Sequence, residues 1–251
     1  MNVLDRLSFQ LYSARKFPPL DSQLATLKKL GYSRVEPYGG LFAEPDALTG
    51  GLKRHGLTAP STHVSIDTLK NDLDGFVKQA KEIGAKLVII PAIPPEQRSK
   101  DASGWSAFGK ELAGIAEKLS KHGLPLAWHN HDFEFKQLPD GRYPLDLMFE
   151  AAPKLMWQAD IGWIHATGED PVRWLEKYRD RIRAVHIKDA APKGQKLEED
   201  GWTDIGAGTI DWQRLMPAIE ATKADLLVLE HDNPADFEGF ARRSREAMAK
   251  W

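Results

Sequence analysis

The sequence predicts an α/β fold, a (β/α)8 TIM barrel in which residues 1–251 form a single domain. Three observations lead there. The length of 251 residues suits one large core, of the size that α/β barrels reach without splitting. Short apolar or β-branched runs alternate with helical patterns eight times along the chain. The turns before these runs are short and often close on glycine, whereas the segments after them vary in length and begin with polar residues.

Residues 7–12 (LSFQLY) alternate, with Phe9 and Leu11 on one face and Ser8, Gln10 and Tyr12 on the other. Asp21 is placed to cap a helix carrying Leu24, Leu27 and Leu30, which stops at Gly31. Residues 33–38 (SRVEPY) form a second strand ending near Glu36, and residues 45–55 a short helix closed by Gly56. Residues 57–66 make a third strand with His63 near its end, followed by a helix over 71–83. Residues 87–91 (LVIIP) have the unbroken apolar character of a strand buried on both faces in a parallel sheet.

A helix over about 103–122 precedes the fifth strand, residues 125–135 (PLAWHNHDFEF), where strand alternation puts Ala127, His129 and His131 on one face. A brief helix near 145–151 leads to a sixth strand over 155–160 that ends in Asp160, and a helix follows over 171–178. The seventh strand, 182–188 (IRAVHIK), sets Ala184, His186 and Lys188 on one face, and a long loop runs from it to Gly208. After a helix over 211–221, the eighth strand, 226–230 (LLVLE), aligns Leu226, Val228 and Glu230; the last helix begins at Asp236. A doubly wound sheet with a dinucleotide turn is a poor alternative, because residues 12–17 (YSARKF) contain no glycine.

Composition removes several functions. With no cysteine, disulfides, thiolate ligands and a cysteine nucleophile are excluded, so any metal must be held by His and carboxylates. A net charge of -2 without a large basic cluster argues against a nucleic-acid partner. Asp5 and Arg6 interrupt what would have to be a leader, and no apolar run reaches membrane-spanning length, so a cytoplasmic protein with no membrane partner is expected. The basic run over 242–250 reads as a solvated face, or as a subunit contact of a homo-oligomer.

In a barrel the C-terminal strand ends share one rim, where such folds place their chemistry. The last polar residues of successive strands are Glu36, His63, His129 with His131, Asp160, His186 and Glu230. Neighbouring strands lie about 4.8 Å apart, so the ends of the last four can converge on one divalent ion, Mn, Co, Mg or Zn, through N and O ligands. Gln10, Glu36, His63 and His131 are the candidate substrate contacts; Trp105, Trp163 and Trp202 read first as packing residues and second as platforms for a sugar ring, and residues 193–199 as a solvated lid whose basic pair could meet a substrate phosphate.

The segments LSFQLYSAR, GYSRVEPYG, HNHDFEF, ADIGW, VHIKD, GAGTIDW and VLEHD together resemble the xylose-isomerase-like TIM-barrel superfamily, in the group known as sugar phosphate isomerases/epimerases. That superfamily also contains inosose dehydratases and the family-two apurinic endonucleases. The resemblance implies metal ligands at Asp160, His186 and Glu230. A fourth, strand-five ligand is a glutamate in the familiar epimerases, and here His129 or His131 stands in its place. It further implies an isomerase or epimerase of a sugar, keto sugar or sugar phosphate working through a metal-stabilised enediolate, with a dehydratase of a keto-cyclitol or keto-sugar as the alternative. Glu230 or a strand-five histidine is the expected base, with His129, His131 or Glu134 taking the place of the absent strand-five glutamate, and Lys188 is expected to bind a substrate oxygen or stabilise the oxyanion.

Overall fold

The computed structural model describes residues 3–251. Strands β1 (Leu7–Gln10), β2 (Val35–Glu36), β3 (Ser61–His63), β4 (Leu87–Ile90), β5 (Leu126–His129), β6 (Met156–Asp160) and β7 (Ile182–Ile187) follow one another in the chain. A small hairpin of β8 (Asp189–Ala190) and β9 (Trp202–Thr203) comes next, and β10 (Leu226–Leu229) completes the barrel. The eight long-range strands are parallel in the order β2-β1-β10-β7-β6-β5-β4-β3. A bridge between Arg34 and Thr58, with His63 N–H donating to the Pro37 carbonyl at 2.8 Å, draws β2 against β3 and nearly closes the ring.

Helices α1 (Leu20–Lys29), α2 (Pro45–His55), α3 (Ile66–Asn71), α4 (Leu73–Glu82), α5 (Ala102–Ser120), α6 (Pro144–Ala151), α7 (Ile161–Ala166), α8 (Pro171–Tyr178), α9 (Trp212–Glu220) and α10 (Phe237–Met248) lie between the strands. Strand alternation divides the apolar residues between two cores. Outward-facing Phe9, Val35, Val88, Trp128, Trp157, Val185 and Leu227 belong to the large core under the helices. Leu87, Ile89, Ala127, Ala184, Leu226 and Val228, with Met156, fill the barrel interior. Burying each large side chain contributes roughly 1.5–3 kcal/mol, so this two-layer packing fixes which face every strand turns inward. The inward positions just beyond the interior plug are His129, Gln158 with Asp160, His186 and Glu230, and their direction is therefore set by the core beneath them.

Three local features differ from expectation. Asp21 does not cap α1, which starts two residues earlier than such a cap requires, after Pro19; it lies in the first turn and accepts from Arg54 Nη2 at 2.7 Å. The helix expected over 71–83 is broken at Asp72, whose carboxylate accepts the Gly75 N–H at 3.1 Å and starts α4 afresh. The long loop after β7 contains the β8–β9 hairpin, where Ala190 faces Trp202. Among the described residues no helix is long and apolar enough to cross a membrane.

Candidate metal centre

The rim of β5, β6, β7 and β10 brings together one ligand atom each from His129, Asp160, His186 and Glu230, all within 4.8 Å of one another. His186 Nδ1 lies 3.0 Å from Glu230 Oε2 and 3.7 Å from Asp160 Oδ2, and His129 Nε2 lies 3.9 Å from the same Asp160 oxygen. Ligands about 2.1 Å from a common ion stand about 3–4 Å from each other, so these separations fit one divalent cation. Asp160 Oδ2 is the sharpest test: it is fully buried and has no hydrogen-bond partner. Its sister oxygen Oδ1 accepts the Trp163 N–H at 2.8 Å, which caps α7 and fixes the carboxylate plane. A buried oxygen without a hydrogen bond, met only by the Lys188 ammonium at 3.5 Å, is costly unless a closer cation or a proton joins it.

The layer behind these ligands selects their tautomers. Gln158 Nε2 donates to Glu36 Oε2 at 2.8 Å, so its Oε1 faces the imidazoles and accepts from His63 Nε2 at 2.7 Å and His129 Nδ1 at 3.1 Å. With the proton of His129 on Nδ1, its Nε2 lone pair is turned toward Asp160. Glu36 Oε1 receives His186 Nε2 at 2.8 Å, leaving Nδ1 as the ring atom that faces the cluster. Such carboxylate–imidazole pairs orient metal-binding histidines and raise their basicity. Asn130 bonds Trp157 Nε1, the Asp160 N–H and the Asp160 carbonyl, bracing the β6 end instead of offering itself as a ligand.

Electrostatics follow from burial and these partners. Burial pushes the Asp160 carboxyl up to about 6 against the pull of Lys188 and His186. For Glu230 burial is outweighed by Lys188 and His186, which hold it well below the carboxylate range. Burial opposes the charge of His186, yet Glu230 and Glu36 on either side lift it to about 10. Burial, then the neighbouring His186, keep His129 well below the usual imidazole value.

Above the cluster opens a cavity of about 570 Å³ whose wall includes Tyr12, Tyr38, His63, His131, Trp163 and Trp202. Of the expected substrate contacts, His63 and His131 line it, but Gln10 and Glu36 do not. Both of the latter are fully buried below its floor, where Gln10 Nε2 donates to Glu36 Oε1 at 2.8 Å and Ser61 Oγ to Glu36 Oε2. With every lone pair taken, Glu36 is scaffolding for the imidazoles. Lys188, expected to reach substrate, is also sealed off: its Nζ lies 2.8 Å from Asp232, 2.9 Å from Glu230 and 3.5 Å from Asp160. Glu134 is no base at this rim, because its carboxylate turns back to accept Trp128 Nε1 at 2.7 Å and the His131 N–H at 2.9 Å.

His129, not His131, completes the four-residue cluster; His131 Nδ1 is left without a partner beside the cavity. Trp163 and Trp202, read as packing residues, form its wall, whereas Trp105 does pack, against Phe108 and Phe133. Gln158 and Asp232 fall outside the set of strand-terminal polar residues, Gln158 lying inside β6 and Asp232 beyond the end of β10. The inward parity of Met156, Gln158 and Asp160 marks the first of them; for Asp232, which lies beyond β10, no sequence signal stands out.

The chain is 26% identical over 193 residues to inosose dehydratase of Geobacillus kaustophilus, covering 67% of this chain and 61% of that protein, so it spans about three fifths of that relative's length. In structure it is similar to a sugar phosphate isomerase/epimerase from Parabacteroides distasonis, with a TM-score of 0.76 and 20% identity over 98% of this chain and 94% of the other. It is also similar to an IOLI protein with a bound zinc atom, with a TM-score of 0.75 and 16% identity over 98% and 97% of the two chains. These structural likenesses concern the fold. The model of the xylose isomerase-like TIM barrel family matches residues 24–251, and the chain belongs to that family.

Proposed function

We propose that this chain is a divalent-metal-dependent enzyme that enolises an uncharged keto sugar or keto polyol and completes the reaction as a carbon–oxygen lyase. The observation that carries this reading is the buried four-residue cluster, with its unpartnered Asp160 oxygen, opening onto a cavity whose β5 end presents imidazoles and no free carboxylate. His129, Asp160, His186 and Glu230 would hold the ion, which polarises a carbonyl and lowers the cost of removing the adjacent proton. The remaining steps belong to the chain.

His131, a neutral imidazole on the cavity wall because burial holds it down at about 3, takes the proton next to the carbonyl. The C–H electron pair becomes the enolate double bond, and its return expels the β-hydroxyl. That hydroxyl leaves as water after receiving a proton from His63, whose ring is anchored through Nε2 on Gln158 and Glu36. The aromatic wall suits the C–H faces of a ring or polyol chain. An uncharged substrate is favoured because, among the described residues, Arg15 is the lone cation of a lining that also holds Asp200, Glu230 and Asp232. The Arg15 guanidinium is moreover committed, stacked 3.7 Å over Tyr12 and bonded to the carbonyls of Tyr12 and Asp232.

A second reading, isomerisation or epimerisation, is favoured by one observation: His63 and His131 flank His129 at ring separations of 5.2 and 5.1 Å, which offers a base on either side of a bound substrate. Incubating Mn-loaded protein with a panel of keto sugars and keto-cyclitols in D2O separates the two. A lyase yields a product one water lighter; an isomerase or epimerase incorporates deuterium at constant composition. His131→Ala is expected to lower kcat by about 10²–10⁴-fold in either case. Turnover unchanged by metal removal would sink both readings.

A further inference from the structure

We propose that the Lys188 ammonium is a built-in second cation of this centre, so that the chain takes one divalent ion and excludes another. The proposal rests on the metal-binding reading above. Nζ is surrounded by three carboxylate oxygens, Asp232 Oδ2 at 2.8 Å, Glu230 Oε2 at 2.9 Å and Asp160 Oδ2 at 3.5 Å. Two of those atoms are shared. Glu230 Oε2 also faces His186 Nδ1 at 3.0 Å, and Asp160 Oδ2 faces both His186 Nδ1 at 3.7 Å and His129 Nε2 at 3.9 Å.

Two carboxylates therefore bridge two adjacent cation positions. One is bounded by the imidazoles and the other is held by Lys188, with Asp232 as its terminal oxygen. Two-metal sites place their ions about 3.5–4 Å apart across such a pair, and an ammonium with its three N–H donors satisfies the second position without recruiting an ion. Charge agrees, since one divalent ion and one ammonium together balance Asp160, Glu230 and Asp232.

The path of the side chain supports a structural commitment to that position. Lys188 is fully buried, and its ammonium lies 5.2 Å from the Trp163 ring and 4.8 Å from the Trp202 ring, the two aromatics that also wall the cavity. Gly162 makes room for the stem: a Cβ there would come within 2.8 Å of Lys188 Cγ and 2.9 Å of its Cβ. The same Cβ would come within 2.9 Å of the Lys188 carbonyl, so a side chain at 162 would force the Lys188 stem or its backbone to shift.

Mn²⁺ titration of the metal-stripped full chain, read by elemental analysis and by electron paramagnetic resonance, tests the proposal. Wild type should saturate at about one ion per chain with an isolated-ion signal, and Lys188→Arg should do the same. Lys188→Gln should saturate at about two ions and show the spin–spin coupled signal of a close pair. Asp232→Asn added to Lys188→Gln should return the count to about one.

Wild type saturating at two ions, or folded Lys188→Gln saturating at one, overturns the proposal. Should Lys188→Gln fold only when Mn²⁺ is supplied, the ions recovered with it must number two; failure of Mn²⁺ to restore the fold counts against the proposal. Wild type that binds no ion at all removes the metal-binding reading itself, a result distinct from either of these.

Discussion

Glu36 and Asp160 are both fully buried carboxylates on one barrel rim, and both face His186, yet their surroundings differ completely. Glu36 is met by Gln10, Ser61, His63, Gln158 and His186. Asp160 keeps one oxygen capped by a backbone N–H and the other without any hydrogen bond. The first carboxylate organises its neighbours and is finished by them. The second is held rigid by α7 while its outward lone pair stays unspent. Burial alone therefore does not distinguish scaffold from reactive site; the state of the hydrogen-bond account around the buried group does.

That contrast is broken most directly at Asp160. Asp160→Asn keeps an oxygen for the Trp163 N–H while removing the buried charge, so metal content should fall from about one ion per chain to none measurable, with activity lost. The stability of the metal-free protein should stay within about 1 kcal/mol of wild type, because the buried charge removed is only loosely met by Lys188 at 3.5 Å and Lys188 keeps Glu230 and Asp232. Full metal occupancy, measured by elemental analysis, or a large drop in the urea midpoint would put Asp160 in the same class as Glu36.

Glu36→Leu should behave in the opposite way. It strands His63, His186 and Gln158 without their common acceptor, and removing one partner of a buried charged network costs about 3–5 kcal/mol. Chemical denaturation should show that loss in the metal-free protein, where Asp160→Asn shows little. A Glu36→Leu protein as stable as wild type would mean that the five contacts carry no net energy.

Gln158→Leu tests how much the intervening layer contributes. It removes the acceptor that keeps the proton of His129 on Nδ1, so either ring nitrogen can carry it and the ring loses its anchor. Metal affinity is expected to fall about 10–100-fold with the ion count unchanged, as for other residues that orient a ligand. No change in Kd would show that packing against the His63 and His186 rings alone fixes His129.

How much of this was legible in the sequence follows from the same physics. The barrel was readable because apolar runs such as Leu87–Ile90 are long enough to declare a parallel strand, and the inward direction of His129, His186 and Glu230 followed from two-residue periodicity. Periodicity gives direction but not depth. It could not show that Gln10 and Glu36 stop short of the cavity floor, or that Lys188 bends away under Trp163 and Trp202. Glu134 sits beyond β5 in a short 3-10 turn, where alternation no longer applies, and its return to Trp128 is a tertiary contact. Asp232 reaches the cluster in the same way, from a loop after β10.

The last expected effect concerns protons, and it separates the two carboxylates once more. Without metal, His186 is lifted to about 10 by its flanking carboxylates, so near neutral pH it carries a proton on both nitrogens. Its charge contributes stability below the unfolded imidazole value of about 6.5, and that contribution is lost as pH rises through about 10. A ligating imidazole must give up its Nδ1 proton while Nε2–H stays on Glu36. Binding should therefore release about one proton per ion between pH 6 and 10, and apparent affinity should rise about tenfold per pH unit over that range. Below about 6 the Asp160 carboxyl is protonated too, so the release should approach two protons and the slope should steepen. Glu36, already ionised, should add nothing. Calorimetric Mn²⁺ titrations in buffers of different ionisation enthalpy read the proton count directly, and a flat affinity profile from pH 6 to 9 would show that Glu36 and Glu230 do not hold His186 charged.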